Sequence, residues 1–141
     1  MTADRAIGLW PAVLMILPLI TRLFFDYLEI MVYKTEVRHK TQAILTGIQM
    51  LSFSYIASSL EPVEYWKAMV LSWATFWLIF DYALNLLRGE KWHYIDLGKD
   101  GKRSLFDSIY ERAGVLGTLF LKLWFFLFAI YAYFFWSYTE L

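Results

Sequence analysis

Apolar residues occur along the chain in four long runs, and the polar residues inside those runs recur at helical spacing. A membrane helix needs about 20 mostly apolar residues at about 1.5 Å each. The pattern predicts spans over about residues 7–33, 43–60, 63–87 and 113–138, joined between the third and fourth by a loop over 88–112. Pro18 falls inside the first span, where a proline invites a kink. Glu61-Pro62 closes the second, because the residue before a proline is pushed out of the α region. Arg88-Gly89 closes the third as a basic last turn followed by a glycine cap. Ser104-Leu105-Phe106-Asp107 has the spacing of a capping motif and predicts a helical lead-in to the fourth span. Before it, Lys91 to Leu97 is aromatic and β-branched enough to be extended. The fold class expected is all-α: a single-domain, integral membrane four-helix bundle.

The polar positions form one stripe per helix. Arg22, Asp26, Glu29, Tyr33 and Glu36 share a face of the first. The second presents Gln42, Thr46 and Gln49, the third Trp77, Asp81, Asn85 and Arg88, and the fourth Glu111, Thr118 and Lys122. Ionisable groups at membrane depth are costly and usually face the bundle interior. Lys122 lies nine residues past Ala113, roughly 14 Å along a helix. Arg22 and Asp81 come late in spans running the other way, and Gln49 comes early in its own. The stripes therefore predict a polar cluster of Arg22, Asp26, Glu29, Gln49, Asp81, Asn85 and Lys122 in one half of the bundle. Two uses stand open. The cluster is structural, with Arg22–Asp26 and either Lys122–Asp81 or Lys122–Glu29 paired, or it marks an ion or proton path.

Composition supports lipid as the solvent. Of 141 residues 60% are hydrophobic and 21% aromatic, against about 45–50% apolar in soluble domains. The net charge is zero, but the charges are segregated. Nine of the thirteen Lys and Arg residues fall in two segments, 34–40 and 88–112. The positive-inside rule then places both segments in the cytoplasm and both termini outside. Trp10, Tyr65, Trp66, Trp136 and Tyr138 would belt the outer interface, and Tyr33, Trp92, Tyr94 and Tyr110 the inner one. Lys67 counts among the few cations of the outer side. Arg88, Lys91, Trp92, Lys99, Lys102 and Arg103 are expected to meet anionic lipid headgroups rather than nucleic acid. The N-terminus lacks a basic n-region and a cleavage site, so the first run reads as a retained span.

Catalytic chemistry is thin. There are no cysteines, no phosphate-binding glycine loop, and no histidine placed to activate Ser104 or Ser108. Glu36-x-x-His39 and Glu90-x-x-His93 have the ligand spacing of carboxylate-bridged metal bundles. Gly89, however, argues against helix at the second copy, and the second span offers no acid. No cofactor is expected and the chain reads as non-enzymatic.

Phe25-Asp26-Tyr27 recurs as Phe80-Asp81-Tyr82, 55 positions later, and each copy precedes a basic segment. This is compatible with two duplicated helical hairpins. Trp77-x-x-Phe80-Asp81, Asn85-x-x-Arg88-Gly89, Trp92-x-Tyr94, Leu97-Gly98-Lys99 and Ser104-x-x-Asp107 together resemble a pattern in small membrane proteins of phage and prophage genomes. The chain departs from it by Ile95-Asp96 and by Asp100-Gly101-Lys102-Arg103, and the likeness covers about a quarter of the length. It transfers no functional residue. What it implies is a holin-like or membrane-remodelling role. The sequence thus supports an oligomeric pore first, an accessory subunit of a larger membrane complex second, and a metal-dependent membrane oxidoreductase third.

Overall fold

The computed structural model describes residues 10–33, 39–61, 63–93 and 105–136. They form four helices: α1 (Trp10–Tyr27), α2 (His39–Leu60), α3 (Tyr65–Leu87) and α4 (Leu105–Phe134). No strand occurs among them. Three stretches, Thr41–Leu60, Tyr65–Leu87 and Ser108–Phe134, are long and apolar enough to cross a membrane. In α1, Pro11, Pro18, Arg22 and Asp26 occupy four of 18 positions.

α1 does not end at Tyr27. Leu28–Val32 continue it as a π-helical turn, closed by the Tyr33 N–H donating to the Leu28 carbonyl at 2.9 Å. A π turn widens the helix, so positions beyond Tyr27 no longer continue the angular sequence of Arg22 and Asp26. The stripe expected through Tyr33 breaks for that reason, and Tyr33 is 66% exposed.

The end of α3 follows the glycine-capped pattern. Gly89 sits at φ +75°, its N–H donates to the Leu86 carbonyl, and the Glu90 N–H donates to the Asn85 carbonyl at 2.9 Å. These two bonds satisfy carbonyls that the last turn leaves free, and only glycine enters that backbone region without strain. Asn85 also donates from its side chain to the Trp92 carbonyl at 3.0 Å. This pulls the chain back on itself, so Trp92 and His93 lie in a turn where an extended segment was expected, and the rest of that segment, 94–97, lies outside the described residues.

α4 begins one residue after Ser104 and bends at Gly114, whose backbone (φ 68°, ψ −179°) is not helical. The bend divides a nine-residue lead-in from the long apolar segment, at the place where the sequence predicts the chain to turn into its fourth span.

α3 is the common partner: it packs against α1, α2 and α4, and α1 also packs on α2. Among the described residues no close backbone approach joins α4 to α1 or α2. The apolar core collects at the end of the molecule where α2 turns into α3. It is built from Leu14, Ala57, Val63, Ala68, Leu71, Ala74, Ala129 and Tyr133. Alanines at the contacts let the helix backbones approach closely. Tyr133 closes this end by donating to Glu61 at 2.9 Å.

Candidate functional site

The polar stripes gather at the other end of the helices, on two flanks of α3. On the α1 flank, Arg22 Nε donates to Asp26 Oδ1 at 2.9 Å, with both side chains almost fully buried (8% and 1% exposed). The two are one turn apart on the same helix, so the pair forms wherever α1 forms. The guanidinium also lies 5.4 Å from the centre of the Phe80 ring, which carries the contact across to α3. α2 adds two bonds donated by side-chain amides to the same flank. Gln42 donates to Glu29 at 3.1 Å, and Gln49 donates to the Thr21 hydroxyl at 3.3 Å.

On the α4 flank, Lys122 Nζ donates to Asp81 Oδ2 at 2.8 Å. Of the two acids the sequence offered to Lys122, the structure uses Asp81 and not Glu29, which bonds to Gln42. The two ends of this pair live in different surroundings. The lysine side chain is 1% exposed and the aspartate side chain 47%. Three aromatic rings surround the ammonium: Tyr82 at 4.7 Å, Tyr110 at 5.0 Å and Trp77 at 5.8 Å from their centres. The Trp77 indole N–H donates to the Tyr110 hydroxyl at 2.7 Å, tying the α4 lead-in to α3. The indole ring and the two phenol rings attract the cation through their negative faces.

Sequence reasoning placed Tyr110 in an interfacial belt, yet it is buried inside this box. The bend at Gly114 is the reason: it turns the lead-in so that Tyr110 faces Trp77. Tyr82 was outside every predicted stripe. Lys67 is a further departure from expectation. It is 2% exposed, lies 5.5 Å from both the Trp66 and Trp136 rings, and donates to Glu64 at 3.3 Å. No periodicity marks it. The sequence placed Trp66 and Trp136 in one aromatic belt, but only the structure shows their rings meeting edge to face at 5.8 Å over Lys67. Glu64 itself accepts from the Trp66 indole and from Lys67, and these two donors hold its carboxyl below the ordinary carboxylate value.

Of the residues expected at headgroup level, Arg88, Lys91 and Trp92 are exposed, and Trp92 packs its ring on Tyr82 at 5.5 Å. Lys99, Lys102 and Arg103 lie outside the described residues. Of the metal candidates, Glu90 and His93 sit beyond the end of α3 and not on a helical face. Glu36 and the His39 side chain lie outside the described residues. Among those described, no group of three His, Cys, Asp or Glu side chains could hold a metal. Away from these sites, large apolar side chains stand on the outward faces of α2 and α4. Ile44, Ile48 and Tyr55 on α2 and Leu116, Phe120, Trp124 and Leu127 on α4 are all exposed. No family model, curated protein or solved structure matches the chain.

Proposed function

We propose that the chain is a four-span bacterial inner-membrane protein, its helices bundled and both termini outside, that serves as a non-catalytic accessory subunit docking through its apolar faces. One observation carries this reading. The cations that reach membrane depth, Arg22 and Lys122, are buried and consumed in internal pairs, while the outward surface of α2 and α4 is aliphatic and aromatic. Such a distribution supports helix locking inside and lipid or protein contact outside. Arg88, Lys91 and Trp92 then meet anionic headgroups at the cytoplasmic face. Although α1 is outside the three membrane-length stretches, its 18 residues alone measure about 27 Å and the π turn lengthens it further.

A second reading, the oligomeric pore or holin-like protein implied by the phage-type resemblance, is favoured by the half-exposed Asp81 carboxylate. Several copies could present it to a shared aqueous lumen.

Reconstitution into ion-loaded liposomes separates the two. An accessory subunit gives no flux above that of empty vesicles, and on mild extraction it leaves the membrane with other chains in fixed ratio. A pore leaves as a homo-oligomer and conducts, and its flux is lost in a folded Asp81→Leu/Lys122→Met variant. Orientation is read separately: cysteine at Ser59 should react with an impermeant reagent from outside and cysteine at Lys91 should not.

A further inference from the structure

We propose that Trp77, Asp81, Tyr82 and Tyr110 form a receptor site for organic ammonium cations, and that Lys122 is its tethered occupant. The argument starts from where the walls come from. Trp77, Asp81 and Tyr82 all stand on α3, and Tyr110 stands in the α4 lead-in, before the Gly114 bend. The hydrogen bond from Trp77 to Tyr110 ties the lead-in to α3, and Phe125 beyond the bend packs edge-on against the Trp77 ring at 5.8 Å. Lys122 is the member of the box that comes from that far segment. The walls thus have contacts of their own, apart from the ammonium that fills them.

Its chemistry selects the ligand class. A carboxylate at 2.8 Å supplies one charge-assisted hydrogen bond, and three ring faces at 4.7–5.8 Å supply cation–π attraction from other directions. Rings around a carboxylate suit a compact ammonium carrying carbon substituents. A metal ion would want oxygen ligands on those sides. The Tyr82 hydroxyl is buried with no hydrogen-bond partner in the structure, leaving one polar group that a larger ligand could engage. The Asp81 side chain is 47% exposed while Lys122 is 1% exposed, so the carboxylate is the member of the box that an incoming cation meets first.

A free ammonium must compete with a tethered one, whose effective concentration is in the millimolar range or above. The wild-type protein should therefore exchange Lys122 only at high ligand concentration, and removing the lysine should raise affinity. The proposal does not depend on whether the protein conducts ions or docks to a partner.

The test uses the full chain in detergent with trimethylammonium as probe, which keeps one N–H for Asp81. In the wild type, acetylation of Lys122 by an amine-reactive ester, followed by mass spectrometry, should rise several-fold in about 100 mM trimethylammonium over the same sodium chloride concentration. In Lys122→Met, equilibrium dialysis of radiolabelled probe should show saturable binding at least about tenfold tighter than in the wild type. Asp81→Asn/Lys122→Met should lose that binding while keeping its helical circular dichroism. Repeating the dialysis in phosphatidylglycerol vesicles with and without phosphatidylethanolamine identifies the source. Suppression by the aminolipid points to a headgroup ammonium, and no suppression points to a free amine. Lys122 acetylation that ignores the probe overturns the proposal even if Lys122→Met fails to fold. Equal binding by the single and double variants also overturns it.

Discussion

The tripeptide Phe-Asp-Tyr occurs at residues 25–27 and again at 80–82, and the two copies solve the same problem in opposite ways. In α1 the position four before the aspartate is Arg22, so the cation comes from the same helix and Asp26 is closed off from the surroundings. In α3 the corresponding position is Trp77, a ring where the first copy has a guanidinium. The cation has to come from α4, and it arrives above that ring. Asp81 stays half-exposed as a result. The first pair is a property of one helix, whereas the second exists when two helices dock. An acid in an apolar helix thus either carries its counter-ion locally or becomes a reason for another helix to pack against it.

The sharpest way to break this comparison is at the buried pair. Asp26→Leu leaves the Arg22 guanidinium without its carboxylate in the interior. Removing one partner of such a pair typically costs about 3–5 kcal/mol. Arg22→Met should cost a similar amount, while Arg22→Met/Asp26→Leu together should come close to wild type. Thermal unfolding in detergent measures all three. Additive losses in the double variant would show that the pair is not the unit of stability.

At the second copy the two single changes should be unequal. Asp81→Asn strands an ammonium that is 1% exposed, so a loss of about 3 kcal/mol is expected, tempered by the three rings. Lys122→Met leaves a carboxylate that is half-exposed and not enclosed by the protein, and a smaller loss of about 1 kcal/mol is expected. Both losses should appear as the part of α4 beyond Gly114 loosening from α3, visible as faster amide hydrogen exchange there before the rest of the chain unfolds. Equal losses at the two positions would remove the distinction between local and docked pairs.

Much of this was legible along the chain. The four helices follow from the hydrophobic runs, the end of α3 from Arg88-Gly89, and the Arg22–Asp26 pair from its one-turn spacing. Counting depth along helices running in opposite directions offered Lys122 two acids, Asp81 and Glu29, and left the choice between them open. What could not be read depends on departures from regular geometry. The π turn after Tyr27 shifts every later position of α1 by an amount no 3.6-residue period supplies. The bend at Gly114 takes Tyr110 from a surface into a box. Lys67 is buried because Trp66, its neighbour in sequence, and Trp136, far from it, meet over it. The central place of α3 is likewise a tertiary fact: its hydrophobic run is no longer than that of α4.

The bend sharpens the comparison further, because it lets Tyr110 and Lys122 reach the same box from one helix. Gly114 holds φ 68° and ψ −179°, a region open to glycine and strained for any residue with a Cβ. Space is not the obstacle, since an added Cβ would meet nothing within 4 Å. Gly114→Ala should therefore destabilise by about 1–3 kcal/mol through backbone strain alone. If α4 relieves the strain by straightening, the Trp77–Tyr110 hydrogen bond is lost. The Trp77 indole N–H would then exchange with deuterium faster than in the wild type. Unchanged exchange together with unchanged stability would show that the bend is not what brings Tyr110 into the box.

The smallest effect is expected at a local acid–lysine contact outside the two copies. Glu64 occupies the N-cap position of α3 without a side-chain capping bond, and its carboxylate accepts from the Trp66 indole and from Lys67 three residues on. The Trp66 bond first, and then Lys67, hold the Glu64 carboxyl below its ordinary value of 4.5, outweighing the opposing effect of desolvation. A carboxyl whose folded value is depressed adds stability that is present above its unfolded value. That stability is lost as pH falls through the folded value. The wild type should therefore exceed Glu64→Gln in thermal stability at pH 7, by less than Gly114→Ala costs, and the difference should close as pH is lowered below 4.5. Glu64 is solvent-exposed, so added salt should also narrow the gap at pH 7, which it should not do for Arg22–Asp26. A gap that survives both acid and salt would mean that Glu64 acts through the shape of its turn and not through charge. The contrast between exposed and buried local pairs would then rest on Asp26 alone.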